Sequence, residues 1–66
     1  MMTHEIGEAA GAIWRTLDSQ GELTLAKLKK EVKVKDPVFH WALGWLARED
    51  QIEIIPDKRT YRVGLK

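Results

Sequence analysis

The chain has 66 residues, with 11 Lys and Arg against 10 Asp and Glu, no Cys, and 44% hydrophobic residues. This composition predicts one small globular domain and excludes disulfide bonds, thiolate zinc sites and cysteine nucleophiles. The chain has no run of about 18 apolar residues and no signal-peptide layout at its N-terminus, so we expect a cytoplasmic protein that does not bind membranes.

Charge is distributed unevenly along the chain, although the net charge is only +1. The sum is −3 over residues 1–26, +4 over 27–35, −4 over 36–57 and +4 over 58–66. A fold that brings the two positive segments together would therefore carry a basic patch that the overall charge conceals.

The first predicted element is a helix over residues 5–17. Its apolar residues recur at spacings of four, three and four, which places them on one helical stripe: Ile6, Ala10, Ile13 and Leu17. Thr3 is the expected N-cap, and the segment 19–21, which ends in Gly21, is expected to stop the helix.

Helix 1 also contains two interior glycines, Gly7 and Gly11, each of which costs about 1 kcal/mol relative to Ala. They lie on one side of the helix with Trp14 alongside, and together they form a flat strip. Tight helix crossings need small residues. The strip is therefore either an intramolecular contact or the seam of a dimer.

A short extended segment and a second helix follow. The extended residues lie at 21–23, and the helix is predicted from Leu25 to Val32 with Thr24 as its N-cap. Leu25, Leu28 and Val32 form its apolar stripe. The opposite surface is cationic, because it carries Lys27 and Lys30.

A third helix is predicted to begin at Asp36-Pro37, with Asp36 as N-cap and Pro37 at the first helical position, and to end near Asp50. A helical projection places one apolar arc toward the core: Phe39, Ala42, Leu43, Leu46 and Ala47. The opposite face and its flanks carry Pro37, His40, Trp41, Gly44, Trp45 and Arg48.

The last two elements are β-strands. Residues 51–55 and 61–65 alternate with period two, and residues 56–60 between them have the composition of a hairpin loop. With the short strand between helices 1 and 2, this predicts an α+β domain of three helices and a small antiparallel sheet of at most three strands.

This order of elements resembles that of a winged helix-turn-helix domain, and the resemblance covers essentially residues 1–66. The residues that carry it are Leu28-x-x-x-Val32-x-Val34-x-Asp36 and Ala42-Leu43-x-x-Leu46-x-x-Glu49-Asp50-x-Ile52. The stretch 42–49 also resembles a small stand-alone bacterial winged-helix family of unknown function. Two positions depart from the pattern: Lys33 and Asp50 stand where glycine is usual.

The sequence offers little for catalysis. Ser19 lies at a predicted helix end, and His4 and His40 fall on different helices. There is no glycine-rich phosphate loop and no ligand spacing typical of a metal site. We therefore expect a binding module without enzymatic activity, metal or cofactor.

The winged-helix resemblance implies DNA binding through the third helix. Its outer face would read bases poorly, because it offers one Arg and one His but no Asn, Gln, Ser or Lys. Basic residues stand where winged helices often contact the DNA backbone: Lys27, Lys30, Lys58, Arg59 and Arg62. They would give weak, salt-sensitive, sequence-tolerant binding, or they serve only to keep the domain soluble.

Trp41 projects almost opposite the buried arc of helix 3, and Trp45 neighbours it. A covered tryptophan buries on the order of 200 Å². Either these rings pack against the wing or the termini, or they form an interface. The leading hypothesis is protein association, as a homodimer, through Trp41, Trp45, Gly7, Gly11 and Trp14. The alternative is a DNA-binding transcriptional regulator with weak backbone contacts.

Overall fold

The computed structural model describes all of residues 1–66. Its elements in chain order are α1 (Thr3–Gln20), β1 (Leu23–Thr24), α2 (Leu25–Val32), α3 (Val38–Arg48), β2 (Ile52–Asp57) and β3 (Thr60–Leu65). The predicted α+β class and the predicted order of elements are confirmed. No helix combines the length and the hydropathy that a membrane crossing requires.

Helix α1 buries the predicted stripe with one addition. Its buried residues are Ala9, Ala10, Ile13 and Leu17, and Ile6 packs against them from a half-buried position. The helix begins at Thr3 itself and has no side-chain cap, so the predicted N-cap is wrong. The helix ends where Gly21 adopts φ 80°, and the Gly21 N–H donates to the Leu17 carbonyl oxygen at 2.8 Å.

Helix α2 and the turn after it form as the sequence predicts. Thr24 caps the helix, since its Oγ1 accepts a hydrogen bond from the Lys27 N–H at 3.2 Å. Lys33 takes the left-handed conformation, with φ 57°, and its N–H donates to the Lys29 carbonyl oxygen at 3.2 Å. Lys33 thus makes the turn that usually has glycine.

Helix α3 buries Phe39, Ala42, Leu43 and Leu46. Ala47, which the projection assigned to the buried arc, is exposed because it lies on the edge of that arc near the helix end. Pro37 precedes the helix and is joined to Asp36 by a cis peptide bond. Asp36 makes no capping hydrogen bond to the helix, so the predicted N-cap is wrong here as well.

The three strands form one antiparallel sheet in the order β1-β3-β2. Val63 of β3 lies between Leu23 of β1 and Ile54 of β2. The hairpin that forms the wing is longer than predicted: its strands reach Asp57 and Thr60, and its turn is only Lys58-Arg59. Pro56 is tolerated in β2 because this strand lies at the sheet edge.

One hydrophobic core of eleven buried residues holds these elements together. Its largest fully buried side chains come from every helix and from the central strand: Ile13, Leu17, Leu28, Phe39 and Val63. No polar or charged side chain is buried. All charged side chains therefore lie at least partly at the surface.

Candidate nucleic-acid interface

A shallow depression of about 540 Å³ lies beside the turn between α2 and α3. Its lining consists of Ala26, Lys29, Lys30, Lys33, Val34, Lys35 and Asp36, and we call it the lysine depression. Lys30, Lys33 and Lys35 take part in no ion pair. Their ammonium groups are therefore available to an anionic ligand such as a phosphate.

Asp36 is the one acidic residue of the lysine depression. Its carboxylate accepts hydrogen bonds from Nζ of Lys29 and from Nδ1 of His40. These contacts, with that of Lys29 the stronger, hold the pKa of Asp36 below its ordinary value. Because the carboxylate is turned toward these two side chains, it does not cap α3, and its negative charge is compensated.

The tip of the wing is the second basic cluster. Lys58 and Arg59 form the two-residue turn of the hairpin, and both are exposed and in no ion pair. Lys58 has φ 56°. We call these two residues the wing tip.

Two of the five predicted backbone-contacting residues are already paired within the chain. Arg62 donates from Nε to the Glu22 carboxylate at 2.7 Å, and its Nη1 lies 4.0 Å from the Asp57 carboxylate. The Glu22 contact raises the pKa of the Arg62 guanidinium. Nζ of Lys27 lies 3.7 Å from the Glu31 carboxylate. The remaining three, Lys30, Lys58 and Arg59, are unpaired.

The two basic clusters are formed by different elements of the fold. Thr24, just before α2, pairs with Arg62 of β3, which places the wing at the N-terminal end of the helix. The lysine depression extends from Ala26, in the first turn of α2, to Asp36 in the turn before α3, and its lining contains no wing residue. The two positive segments therefore do not line one common depression.

The outer face of α3 is exposed along its length. Trp41 is 48% exposed and Trp45 is 49% exposed, so neither ring belongs to the core. Trp45 lies beside the first turns of α1, where it lines a smaller depression of about 210 Å³ with Thr3, Ile6 and Gly7. Pro37, His40, Gly44 and Arg48, also predicted for this face, are all exposed.

The glycines of α1 do not serve an intramolecular contact. A Cβ added at Gly7 would meet no atom within 4 Å, and one at Gly11 would meet only the flexible guanidinium of Arg15 at 3.1 Å. The interpretation of this strip as a close contact inside the domain is therefore wrong. Trp14 lies alongside and is 36% exposed.

Sequence reasoning missed three of the four lysines in the depression: Lys29, Lys33 and Lys35. A helical projection locates cations only on the faces of helices, whereas Lys33 and Lys35 lie in the turn between α2 and α3. The signal was present as the +4 charge over residues 27–35. No group of three or more His, Asp and Glu side chains is arranged to hold a metal ion.

Comparison with known proteins agrees with this architecture. The chain is 35% identical over 68 residues to the uncharacterized protein MJ1608 of Methanocaldococcus jannaschii, covering 98% of this chain and 96% of that protein. The crystal structure of transcriptional regulator PA4135 matches with a TM-score of 0.83 and 24% identity. That match covers 89% of this chain but 46% of the other, so the chain spans about half of that protein's length.

The family model described as "Winged helix-turn-helix domain (DUF2582)" matches residues 1–65, which include all three helices and all three strands. The chain therefore belongs to the winged helix-turn-helix (DUF2582) family.

Proposed function

We propose that residues 1–66 act as one winged-helix domain that binds duplex DNA, with the lysine depression and the wing tip holding phosphates. The observation that carries this proposal is the position of the unpaired cations. Six Lys and Arg side chains lie in no ion pair, and five of them belong to the two clusters: Lys30, Lys33, Lys35, Lys58 and Arg59.

The geometry of a duplex supports this assignment. In helix-turn-helix proteins the second helix of the motif, here α3, enters the major groove, which is about 12 Å wide. The lysine depression lies at the turn between the two helices of the motif, and the other cluster lies at the tip of the wing. We expect these cations to contact backbone phosphates while α3 lies in the groove.

The comparisons favour nucleic acid over protein association. The structural relative carries the name transcriptional regulator, and the shared fold is one that many DNA-binding proteins use. The homodimer that was the leading hypothesis from the sequence receives no support from these relatives. We infer a binding module rather than an enzyme, because the winged helix-turn-helix fold is one that many DNA-binding proteins use.

Discrimination between sequences should be slight. On the outer face of α3, Nδ1 of His40 is engaged by Asp36, and Nη1 of Arg48 lies 3.9 Å from the Glu49 carboxylate. Arg48 is then the one side chain on this face that could make the bidentate contact with guanine, which is worth about 1–3 kcal/mol. Phosphate contacts, which carry no sequence information, then supply most of the affinity.

The experiment is a fluorescence anisotropy titration of a labelled random duplex at about 50 mM salt. The double variant Lys33→Gln/Lys35→Gln should bind about ten-fold more weakly or worse, since two phosphate contacts are removed. Arg15→Gln is the matched control, because Arg15 is the sixth unpaired cation and lies on α1 outside both clusters. Equal losses in both variants, or no binding by the native chain, would overturn the proposal.

A further inference from the structure

The two half-exposed tryptophans of α3 have no role in phosphate binding. Trp41 and Trp45 are four residues apart, which places their rings on the same side of the helix. Each leaves about half of a large aromatic surface in water, where it contributes nothing to the stability of the fold. A flat aromatic ligand would cover this surface favourably.

The charges around the two rings favour an anionic strand as the carrier of that ligand. Lys33 and Lys35 lie in the turn that precedes α3, and Trp41 lies in the first turn of that helix. Arg48 lies three residues after Trp45, at the other end of the helix. A strand whose phosphates contact these cations would run along α3 and carry its bases past both indoles.

The outer face of α3 is better suited to stacking on bases than to hydrogen bonding with base edges. Its exposed donors are few and partly engaged, whereas stacking needs only the π face that every base possesses. Beside Trp45 the depression with Thr3, Ile6 and Gly7 also leaves open space next to the ring. In an intact duplex the base faces are stacked on one another, and only base edges reach the groove.

We propose that Trp41 and Trp45 stack on unpaired bases, so that the domain binds single-stranded DNA more tightly than fully paired duplex. This proposal rests on the proposed function, because Lys33 and Lys35 hold phosphates in both, and Arg48, which lies 3.9 Å from the Glu49 carboxylate, is the additional cation. The new element is that α3 contacts the faces of unpaired bases. It also gives the exposed indoles a ligand that requires no sequence specificity.

The test compares a labelled oligothymidine with a duplex of equal length at about 50 mM salt. The native chain should bind the single strand at least about five-fold more tightly, and its tryptophan fluorescence should be quenched on binding, as stacking on one base is worth about 1–3 kcal/mol. Trp41→Leu and Trp45→Leu should each weaken single-strand binding by about five-fold or more. Their affinity for duplex should fall by a smaller factor, because the base faces of an intact duplex are stacked on one another and cannot stack on the indoles.

Trp14→Leu is the matched control, since Trp14 is also exposed but lies on α1. Trp41→Phe should retain most of the single-strand affinity, because the ring remains, whereas a loss equal to that of Trp41→Leu would contradict stacking. A thermal melt establishes that each variant is folded before binding is measured. In the binding assay, leucine variants with unchanged single-strand affinity, or with equal losses for both ligands, would overturn this inference.

The outcomes for the native chain separate the two proposals. If the chain binds duplex as tightly as the single strand, the stacking inference fails and the proposed function stands. If it binds neither ligand at low salt, the proposed function fails, and the stacking inference fails with it.

Discussion

Lys29 of α2 donates a hydrogen bond from its ammonium group to the carboxylate of Asp36 in the turn before α3. Because the same carboxylate also contacts Nδ1 of His40 in α3, Asp36 joins the two helices of the helix-turn-helix motif. The Lys29 contact also compensates the only acidic side chain in a depression lined by four lysines. The depression consequently keeps the charges of its other three lysines available for an anion.

We predict that the Asp36 carboxyl titrates below the ordinary pKa of 3.8 in the folded chain, because Lys29 and His40 stabilise its ionised form. Lys29→Gln should raise this pKa toward the ordinary value, since the Lys29 hydrogen bond is the largest cause of the shift. Carboxyl chemical shifts measured by NMR against pH would check this. An Asp36 pKa at or above 3.8 in the native chain would contradict it.

The direction in which the pKa of Asp36 is shifted determines how this carboxyl affects stability at each pH. A carboxyl whose pKa is lower in the folded chain stabilises the fold at pH values above its unfolded pKa. The contribution of Asp36 is therefore present above pH 3.8 and is lost as pH falls through the lowered pKa. In the Asp36→Asn variant the urea concentration at the midpoint of unfolding should fall less steeply than in the native chain as the pH is lowered from about 4 to about 2. This is roughly the range in which the native carboxyl titrates.

The assignment of the two faces of α3 predicts unequal effects of truncation. Phe39 is completely buried, so Phe39→Ala should lower the free energy of unfolding by roughly 3–5 kcal/mol. Trp41→Ala should lower it by at most about 2 kcal/mol, because half of the ring is already exposed. Urea unfolding monitored by circular dichroism measures both. Equal losses would mean that the faces are wrongly assigned.

A helix-interior glycine with open space around it should be replaceable by alanine with a gain in stability. Gly7→Ala should raise the free energy of unfolding by roughly 0.5–1 kcal/mol, since nothing lies within 4 Å of the added Cβ. Gly11→Ala should gain less, because the Arg15 side chain must move. A loss of stability at Gly7 that grows with protein concentration would reveal a second copy packed there and would revive the homodimer.

The fold was largely predictable because its signals are local. The apolar spacing of α1 and α3, the Thr24 cap and the alternation in β2 and β3 all act within a few residues. The predicted loop at 56–60 is too long, because β2 continues through Pro56 to Asp57 and β3 begins at Thr60. The position of Pro56 at a sheet edge depends on the strand order, which the hairpin sequence alone does not contain.

The candidate site was less predictable because it depends on contacts between distant residues. Arg62 was predicted to meet DNA, but the pairing of β1 with β3 brings it to Glu22, 40 residues earlier in the chain. Asp36 was predicted to cap α3, but Lys29 on the preceding helix competes for its carboxylate. Such pairings decide which cations remain available, and helix-face projection does not reveal them.

The central claim is that the lysine depression and the wing tip hold DNA phosphates, and the salt dependence of duplex binding tests it most directly. If the five unpaired cations of the two clusters each neutralise one phosphate, the logarithm of the association constant should fall against the logarithm of salt concentration with a slope of about −4.5. The affinity should then drop about 500-fold between about 50 and 200 mM salt. A slope near zero, or no binding at the lower concentration, would contradict the account.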